Sequence, residues 1–203
     1  MTQETLFALV AFAVVTSITP GPNNLMLLAS GANFGLRRSL PHMAGVSLGH
    51  MAMILLLGAG LSGVFVLWPR AQVVLKTLAV GYMICLAWKI ARAEPPADGA
   101  GAAAGKPLTF LQAALFQWVN PKGWAMALGA LAAYAPEGSG MAGVAMVALV
   151  FAVVNLPSVT CWAALGTQLR RLLDVKWKLR LFNTMAALLL LASLYPIVTM
   201  EPG

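Results

Sequence analysis

The sequence predicts an all-α membrane protein of six transmembrane helices, built as a 3+3 inverted repeat whose first and fourth helices are broken by proline. Three observations predict it: an apolar excess that no soluble surface accommodates, six apolar runs of spanning length, and proline clusters inside two of those runs at matching positions. Of the 203 residues, 60% are hydrophobic and 9% charged, against roughly 45–50% and about 25% in an average soluble domain. The 13 basic and 6 acidic side chains are too few to coat a soluble fold of this size, so the excess faces lipid. The net charge of +7 does not point to nucleic acid, because the basic residues lie in short connections without a basic helix or interleaved aromatics. Their partner is the anionic membrane surface.

A helix needs about 20 apolar residues to cross the hydrocarbon layer. Runs of that kind cover residues 5–30, 42–66, 71–91, 109–134, 140–165 and 181–199. Met1-Thr2-Gln3-Glu4 lacks the basic start of a secretory signal and no small-residue cleavage pattern precedes the proline cluster, so the first run is expected to be retained. Residues 92–108, rich in Gly, Pro and Ala, read as a linker between two half-repeats, 1–91 and 109–203, of a single membrane domain over 1–203.

Basic residues orient the spans. Arg37, Arg38, Lys89, Arg92, Lys106, Arg170, Arg171, Lys176, Lys178 and Arg180 fall at odd-numbered connections, and only Arg70 and Lys76 at the second. The bias places the odd connections in the cytoplasm and both termini outside. Three spans per half then insert the second half with opposite polarity.

The first run contains Thr19-Pro20-Gly21-Pro22-Asn23-Asn24 and the fourth Gln117-Trp118-Val119-Asn120-Pro121-Lys122. Proline removes a backbone donor and clashes with the preceding turn, so each run must kink or unwind. The carbonyls of Thr16 and Ile18, deprived of the amides at 20 and 22, are expected to face a cavity. Paired breaks in two halves point to a midplane binding site at the repeat interface; proline kinks used only for packing are the alternative. Lys122 sharpens the question, because a cation at the bilayer centre normally has a partner. Glu4, Glu94, Asp98, Glu137, Asp174 and Glu201 all sit at tails, connections or their edges. Lys122 is therefore neutral, or snorkels, or meets its counter-charge on the cargo, as the carboxylate of a zwitterion would provide. The unwound backbone at Thr16 to Thr19 is expected to receive the amino group, with Asn23 and Asn120 capping the half-helices.

His50 lies about 12 Å further along the second span than His42, which is expected at the interface. With no carboxylate at depth, His50 and Lys122 are the candidates for proton coupling, and a neutral His50 bonded between helices is the alternative. Asn155 poses the same choice. Gly31, Gly35, Gly45 and Gly49 form two Gly-x-x-x-Gly spacings read as close helix packing. Cys85 and Cys161, both inside apolar runs, read as small hydrophobes. Gly45-Val46-Ser47-Leu48-Gly49 matches the nucleophile-elbow pattern, but that motif needs a strand-to-helix turn and this copy lies in a helical run, so no enzyme is expected. No cofactor or metal motif is present.

Thr19 to Asn24, Ser30 to Ser39 with Gly35 and Arg37-Arg38, Ala44 to Gly49, Leu86-Ala87-Trp88-Lys89-Ile90, Asn120-Pro121-Lys122, Trp162 to Gly166, and Leu169-Arg170-Arg171-Leu172-Leu173 together resemble the LysE/RhtB amino-acid exporters. The likeness covers nearly the whole chain and looks closest to the cysteine and O-acetylserine exporter branch. It implies a bacterial inner-membrane exporter of small amino acids or derivatives, driven by proton antiport. The implied partners are a small zwitterionic amino acid, protons and lipid, with a homodimer left open. An ion or solute channel, or a non-transporting membrane subunit, is the competing reading. The sequence departs from the family's pattern where Asn183 is followed by Thr184, Met185, Ala186 and Ala187 rather than by a nearby glycine, and where Pro196 interrupts the last span.

Overall fold

The computed structural model describes residues 1–61, 67–68, 70–93, 106–135, 138, 140–173 and 175–195, together with the backbone alone at 71 and 72. All regular structure among them is helical: α1 (Gln3–Ile18), α2 (Pro22–Phe34), α3 (Leu36–Leu56), α4 (Arg70–Ala91), α5 (Phe110–Phe116), α6 (Pro121–Tyr134), α7 (Gly140–Leu169) and α8 (Lys176–Ala192). A π turn, Leu57–Leu61, extends α3, and 3₁₀ turns follow α5 (Gln117–Val119) and α7 (Arg170–Leu172). Most of the 92–108 linker, and with it Glu94 and Asp98, lies outside the described residues, as do Glu137, Asp174, Pro196 and Glu201.

Among the described residues three helices are long and apolar enough to cross a membrane, Leu36–Leu61, Val73–Ala91 and Gly140–Leu172. The pair α1 and α2 makes a fourth span if its 55° bend is counted within one crossing. The runs expected as the fourth and sixth spans do not form described helices of that length: the first is a short apolar helix over Phe110–Val119 followed by α6, and the second is α8, which begins at Lys176, five residues before its sequence boundary. The outward faces carry Phe7, Val15, Leu78, Leu111, Val153 and Leu181, all more than half exposed. Such a belt is stable in hydrocarbon and not in water.

Local chemistry accounts for the helix limits. The Thr2 hydroxyl accepts from the Thr5 amide at 3.2 Å and starts α1, and a reciprocal Thr109–Gln112 capping box starts α5. Pro22 and Pro121 each occupy a first-turn position, where a missing N–H costs nothing. The prolines thus restart helices after a break; they do not kink continuous ones.

Three apolar clusters hold the bundle. One joins α1, α3, α6 and α7 through Leu9, Met53, Ala127 and Phe151. A second joins α2, α4, α5 and α8 through Met26, Met83, Phe116 and Leu190. A third joins α2, α3, α5 and α7 through Leu27, Val46, Ala113 and Ala163. Backbones approach closely where side chains are absent: a Cβ on Gly31 would overlap the Ala163 carbonyl, and one on Gly49 would meet Ala114 Cα at 2.5 Å. Packing therefore explains Gly31, Gly45 and Gly49, but not Gly35. That residue has open space around it and φ of 79°, and it forms the one-residue joint between α2 and α3.

Candidate functional site

The two breaks lie against each other. The Lys122 ammonium, from the start of α6, crosses to the end of α1 and donates to the Thr19 carbonyl (2.5 Å) and hydroxyl (2.9 Å). One residue into α2, Asn23 donates to Gln117 Oε1 at 2.8 Å, and Gln117 returns a bond to Asn23 Oδ1 at 3.3 Å. Gln117 also donates to the Ala113 carbonyl at 2.8 Å, which locks its rotamer.

Both carbonyls left by the prolines have found other donors, and of the two residues Thr16 lines a central cavity. Pro20 and Pro22 leave the end of α1 without backbone donors, and side chains take their place. The Thr16 carbonyl accepts from the Thr19 hydroxyl (3.1 Å) and the Ile18 carbonyl from the Trp162 indole of α7 (3.0 Å). Asn24 Nδ2 serves both the Ser17 and Thr19 carbonyls at 2.8 Å each. A helix end away from water requires such partners. The expected capping by Asn23 is not found, because Asn23 is held by Gln117 and α2 has no side-chain cap. Asn120 does cap α6, accepting from the Lys122 amide at 3.2 Å.

Among the described residues the partner of Lys122 is not a carboxylate but the negative end of α1, a helix terminus equivalent to a charge of about −0.5. Gly21 makes the crossing feasible, since a Cβ there would stand 2.6 Å from Lys122 Cδ and 3.2 Å from Nζ. Its φ of −172° is ordinary extended backbone, so the requirement is for space.

These groups surround a small central cavity. Of the residues singled out from sequence, Gly21, Asn23, Asn24, His50, Gln117, Asn120, Lys122 and Asn155 line it. Thr19, Pro20, Pro22 and Pro121 do not; Thr19 acts through its bonds to Lys122, and the prolines shape the backbone. Thr16, Ser17, Gly123 and Met126 complete the wall. Gly123 and Met126 carried no polar signal in the sequence and are found only through the turn of α6. The cavity measures about 20 Å³, room for one water and not for an amino acid. Ser17 Oγ and His50 Nε2 are buried on its wall without a protein hydrogen-bond partner. The His50 ring packs edge-on against Phe151 at 5.3 Å. The positive ends of α2 and α6 also meet here, and first-turn amides such as those of Asn23 and Gly123 have no acceptor within their own helices.

Two further features were not marked in the sequence. His42, expected at the membrane interface, is 1% exposed, and neither ring nitrogen has a hydrogen-bond partner. Asn33 and Asn183, unmarked as a pair in the sequence, exchange amide bonds of 2.8 and 3.1 Å and tie α2 to α8. Ser47 is buried inside α3 with no hydrogen-bond partner, so nothing activates it as a nucleophile. Cys85 and Cys161 are both free, and among the described residues no group of side chains is placed to hold a metal.

The family profile described as LysE type translocator matches residues 14–193. The cysteine/O-acetylserine efflux protein of Escherichia coli strain K12 is 34% identical over 174 residues, covering 85% of this chain and 87% of its own length. Proteins of the same description from Shigella sonnei strain Ss046 and Shigella flexneri match with the same identity and coverage. No solved structure matches the chain. The profile covers most of the chain, the relatives it resembles are efflux proteins and not enzymes, and the apolar helices of spanning length suit a multi-pass membrane protein: the chain belongs to the LysE type translocator family.

Proposed function

We propose that the protein exports small amino acids or their derivatives, of the neutral thiol or hydroxyl type, from the cytoplasm by proton antiport. The relatives' description as cysteine/O-acetylserine efflux proteins supports the cargo class. The observation that carries the reading is the contact between the two breaks, with Lys122 of one seated on Thr19 of the other. It brings an ammonium, two helix N-termini and one helix C-terminus to a single polar cavity, the set of charges a zwitterion needs.

In this reading the cargo's amino group takes the place of the Lys122 ammonium on the Thr19 carbonyl. The released ammonium, with the N-termini of α2 and α6, then holds the carboxylate. The exchange keeps every charge paired, which matters in a medium without water. The proposed binding set is Thr19, Pro20, Gly21, Pro22, Asn23, Asn24, Gln117, Asn120, Pro121, Lys122 and Asn155, with His50 and Lys122 as the proton-coupling pair. A cavity of about 20 Å³ must widen to admit cargo, and rocking of the two halves supplies that change.

The architecture proposed is a single domain of six spans over 1–203, with α1–α2 and α5–α6 as equivalent broken spans. The halves 1–91 and 109–203 are joined by a cytoplasmic linker over 92–108. Part of the packing supports it: α1 lies on α7 as α5 lies on α3, while α3 meets α7 and α4 meets α8 across the relating axis, although α2 lies on α7 far more extensively than α6 lies on α3. The basic odd connections place both termini in the periplasm of a bacterial inner membrane.

The test is efflux from cells expressing the protein, with a panel that includes cysteine, serine and O-acetylserine. Counterflow in vesicles separates a carrier from a channel, since only a carrier exchanges labelled for unlabelled cargo against a gradient. Lys122→Met and His50→Ala are expected to abolish or flatten the dependence of efflux on the proton gradient. Unchanged transport with unchanged pH dependence in both variants removes the proposed coupling.

A further inference from the structure

A second, larger cavity of about 400 Å³ lies toward the basic end of the bundle. Helices α2 and α3, and α5 with the 3₁₀ turn that follows it, contribute to both cavities: Asn23, His50 and Gln117 at the central one, Ser30, His42 and Gln112 at this one. Asn23 and Gln117 bond to each other on the central wall, and Met26, buried in the same apolar cluster as Phe116, lines the second cavity. The volume falls in the usual range for small-molecule sites, roughly 300–1,000 Å³.

Among the described residues its charged lining is all basic. Lys89, Arg92 and Lys106 converge on it, whereas Arg37, Arg38, Arg170 and Arg171 of the same basic side do not line it. A topology signal alone requires positive charge near the membrane and no convergence on one cavity. Among the described residues no acidic side chain lines the cavity. Arg92 is held in place by stacking on Trp88, 3.8 Å from the ring centre. His42, 1% exposed with neither ring nitrogen bonded to protein, stands on the same wall. A buried imidazole without a partner is costly unless a bound molecule supplies one.

We propose that this vestibule is a second binding site, for the carboxylate of the amino acid awaiting export, filled before the central cavity. Lys89, Arg92 and Lys106 attract and hold the carboxylate, and His42 hydrogen-bonds the bound molecule. The proposal rests on the exporter reading above, which assigns only the central cavity. A phosphate of an anionic lipid shares the relevant chemistry, and the test separates the two.

The half-buried Ala93 lines the vestibule and supplies a reporter. In a Cys85→Ser/Cys161→Ser background that still exports, Ala93→Cys is labelled in inverted vesicles with anionic and cationic thiosulfonate reagents. Relative to a free thiol, the anionic reagent is expected to react on the order of tenfold faster, as a focused positive field dictates. Lys89→Gln/Lys106→Gln should erase that preference and raise the half-saturating O-acetylserine concentration for efflux about tenfold, with the maximal rate within twofold. Arg170→Gln/Arg171→Gln, which removes equal charge from the same side, should change neither. O-acetylserine should protect Ala93→Cys in vesicles of neutral lipid, and its carboxamide should not. Protection that requires phosphatidylglycerol and ignores O-acetylserine assigns the site to lipid and overturns the proposal, as does labelling without charge preference. If the wild type exports normally while these signatures are missing, this inference fails alone. If charge preference and carboxylate protection hold in a protein that exports nothing, the exporter reading fails and the vestibule site stands.

Discussion

Asn24 and Lys122 converge on one oxygen, the Thr19 carbonyl, and a double-mutant cycle measures that convergence. Asn24 is 4% exposed, and its amide nitrogen donates to the Ser17 and Thr19 carbonyls at 2.8 Å each. Asn24→Leu keeps the shape and removes both donors. The Ser17 carbonyl is then left unpaired, at about 1–3 kcal/mol, whereas the Thr19 carbonyl still has Lys122. Lys122→Met alone removes the ammonium but leaves Asn24 on the same oxygen, so its cost is near 1 kcal/mol for a half-buried donor. In the double variant the Thr19 carbonyl loses both donors and becomes a second orphan, adding about 1–2 kcal/mol beyond the sum of the singles. For a chain of this size 1 kcal/mol moves a melting temperature by about 2–4 °C. Asn24→Leu is therefore expected to lower the apparent melting temperature in detergent by about 2–12 °C, and the double variant by clearly more than the two shifts combined. Additivity within about 0.3 kcal/mol would refute the shared acceptor, and with it the account of what holds the broken end of α1.

Three substitutions of glycine separate space from dihedral strain. Gly21→Ala places a methyl 2.6 Å from Lys122 Cδ; it is expected to push the ammonium off Thr19, costing less than about 1 kcal/mol in stability but changing efflux as much as Lys122→Met does, measured in the same cells. Gly35→Ala meets nothing within 4 Å but must adopt φ of 79°, so a loss of about 1–2 kcal/mol is expected from the backbone alone. Asn at that position should recover part of it. Gly49→Ala puts a methyl 2.5 Å from Ala114 Cα, and α3 and α5 must move apart. It should cost more than Gly35→Ala, about 2–3 kcal/mol, with unfolding in detergent as the measure of both.

The helical class and the position of both breaks were legible because they depend on composition and on proline, whose effects are local. What proline does in each break was only half legible. Its missing N–H predicts that something must satisfy Thr16 to Thr19, but the donors come from Asn24, from Lys122 more than 100 positions away, and from Trp162 on α7. Spacing along the chain carries no information about those meetings. Gly35 illustrates the same limit in reverse: its spacing from Gly31 matches a packing motif, yet its φ of 79° and empty surroundings make it a joint. His42 and the Asn33–Asn183 pair were hidden because a single polar residue in an apolar run reads alike whether its partner is protein, cargo or solvent. Their burial follows from the packing of α2, α3 and α8, which is a tertiary property.

Among the described residues Lys122 has no carboxylate partner, and its bonds to Thr19 supply a different one. A helix broken inside the membrane exposes two opposite partial charges, carbonyls at the end of α1 and amides at the starts of α2 and α6. A lysine can bind the first and a carboxylate the second, so a site made from backbone ends accommodates a zwitterion without fixed acidic residues. This has an energetic advantage for a carrier. A buried carboxylate would bind Lys122 so strongly that displacing it would be costly, whereas the Thr19 carbonyl retains Asn24 when the ammonium leaves. In the proposed mechanism the site then exchanges one ammonium for another at little net change in energy, and a transporter that must both load and release its cargo needs that balance more than it needs affinity.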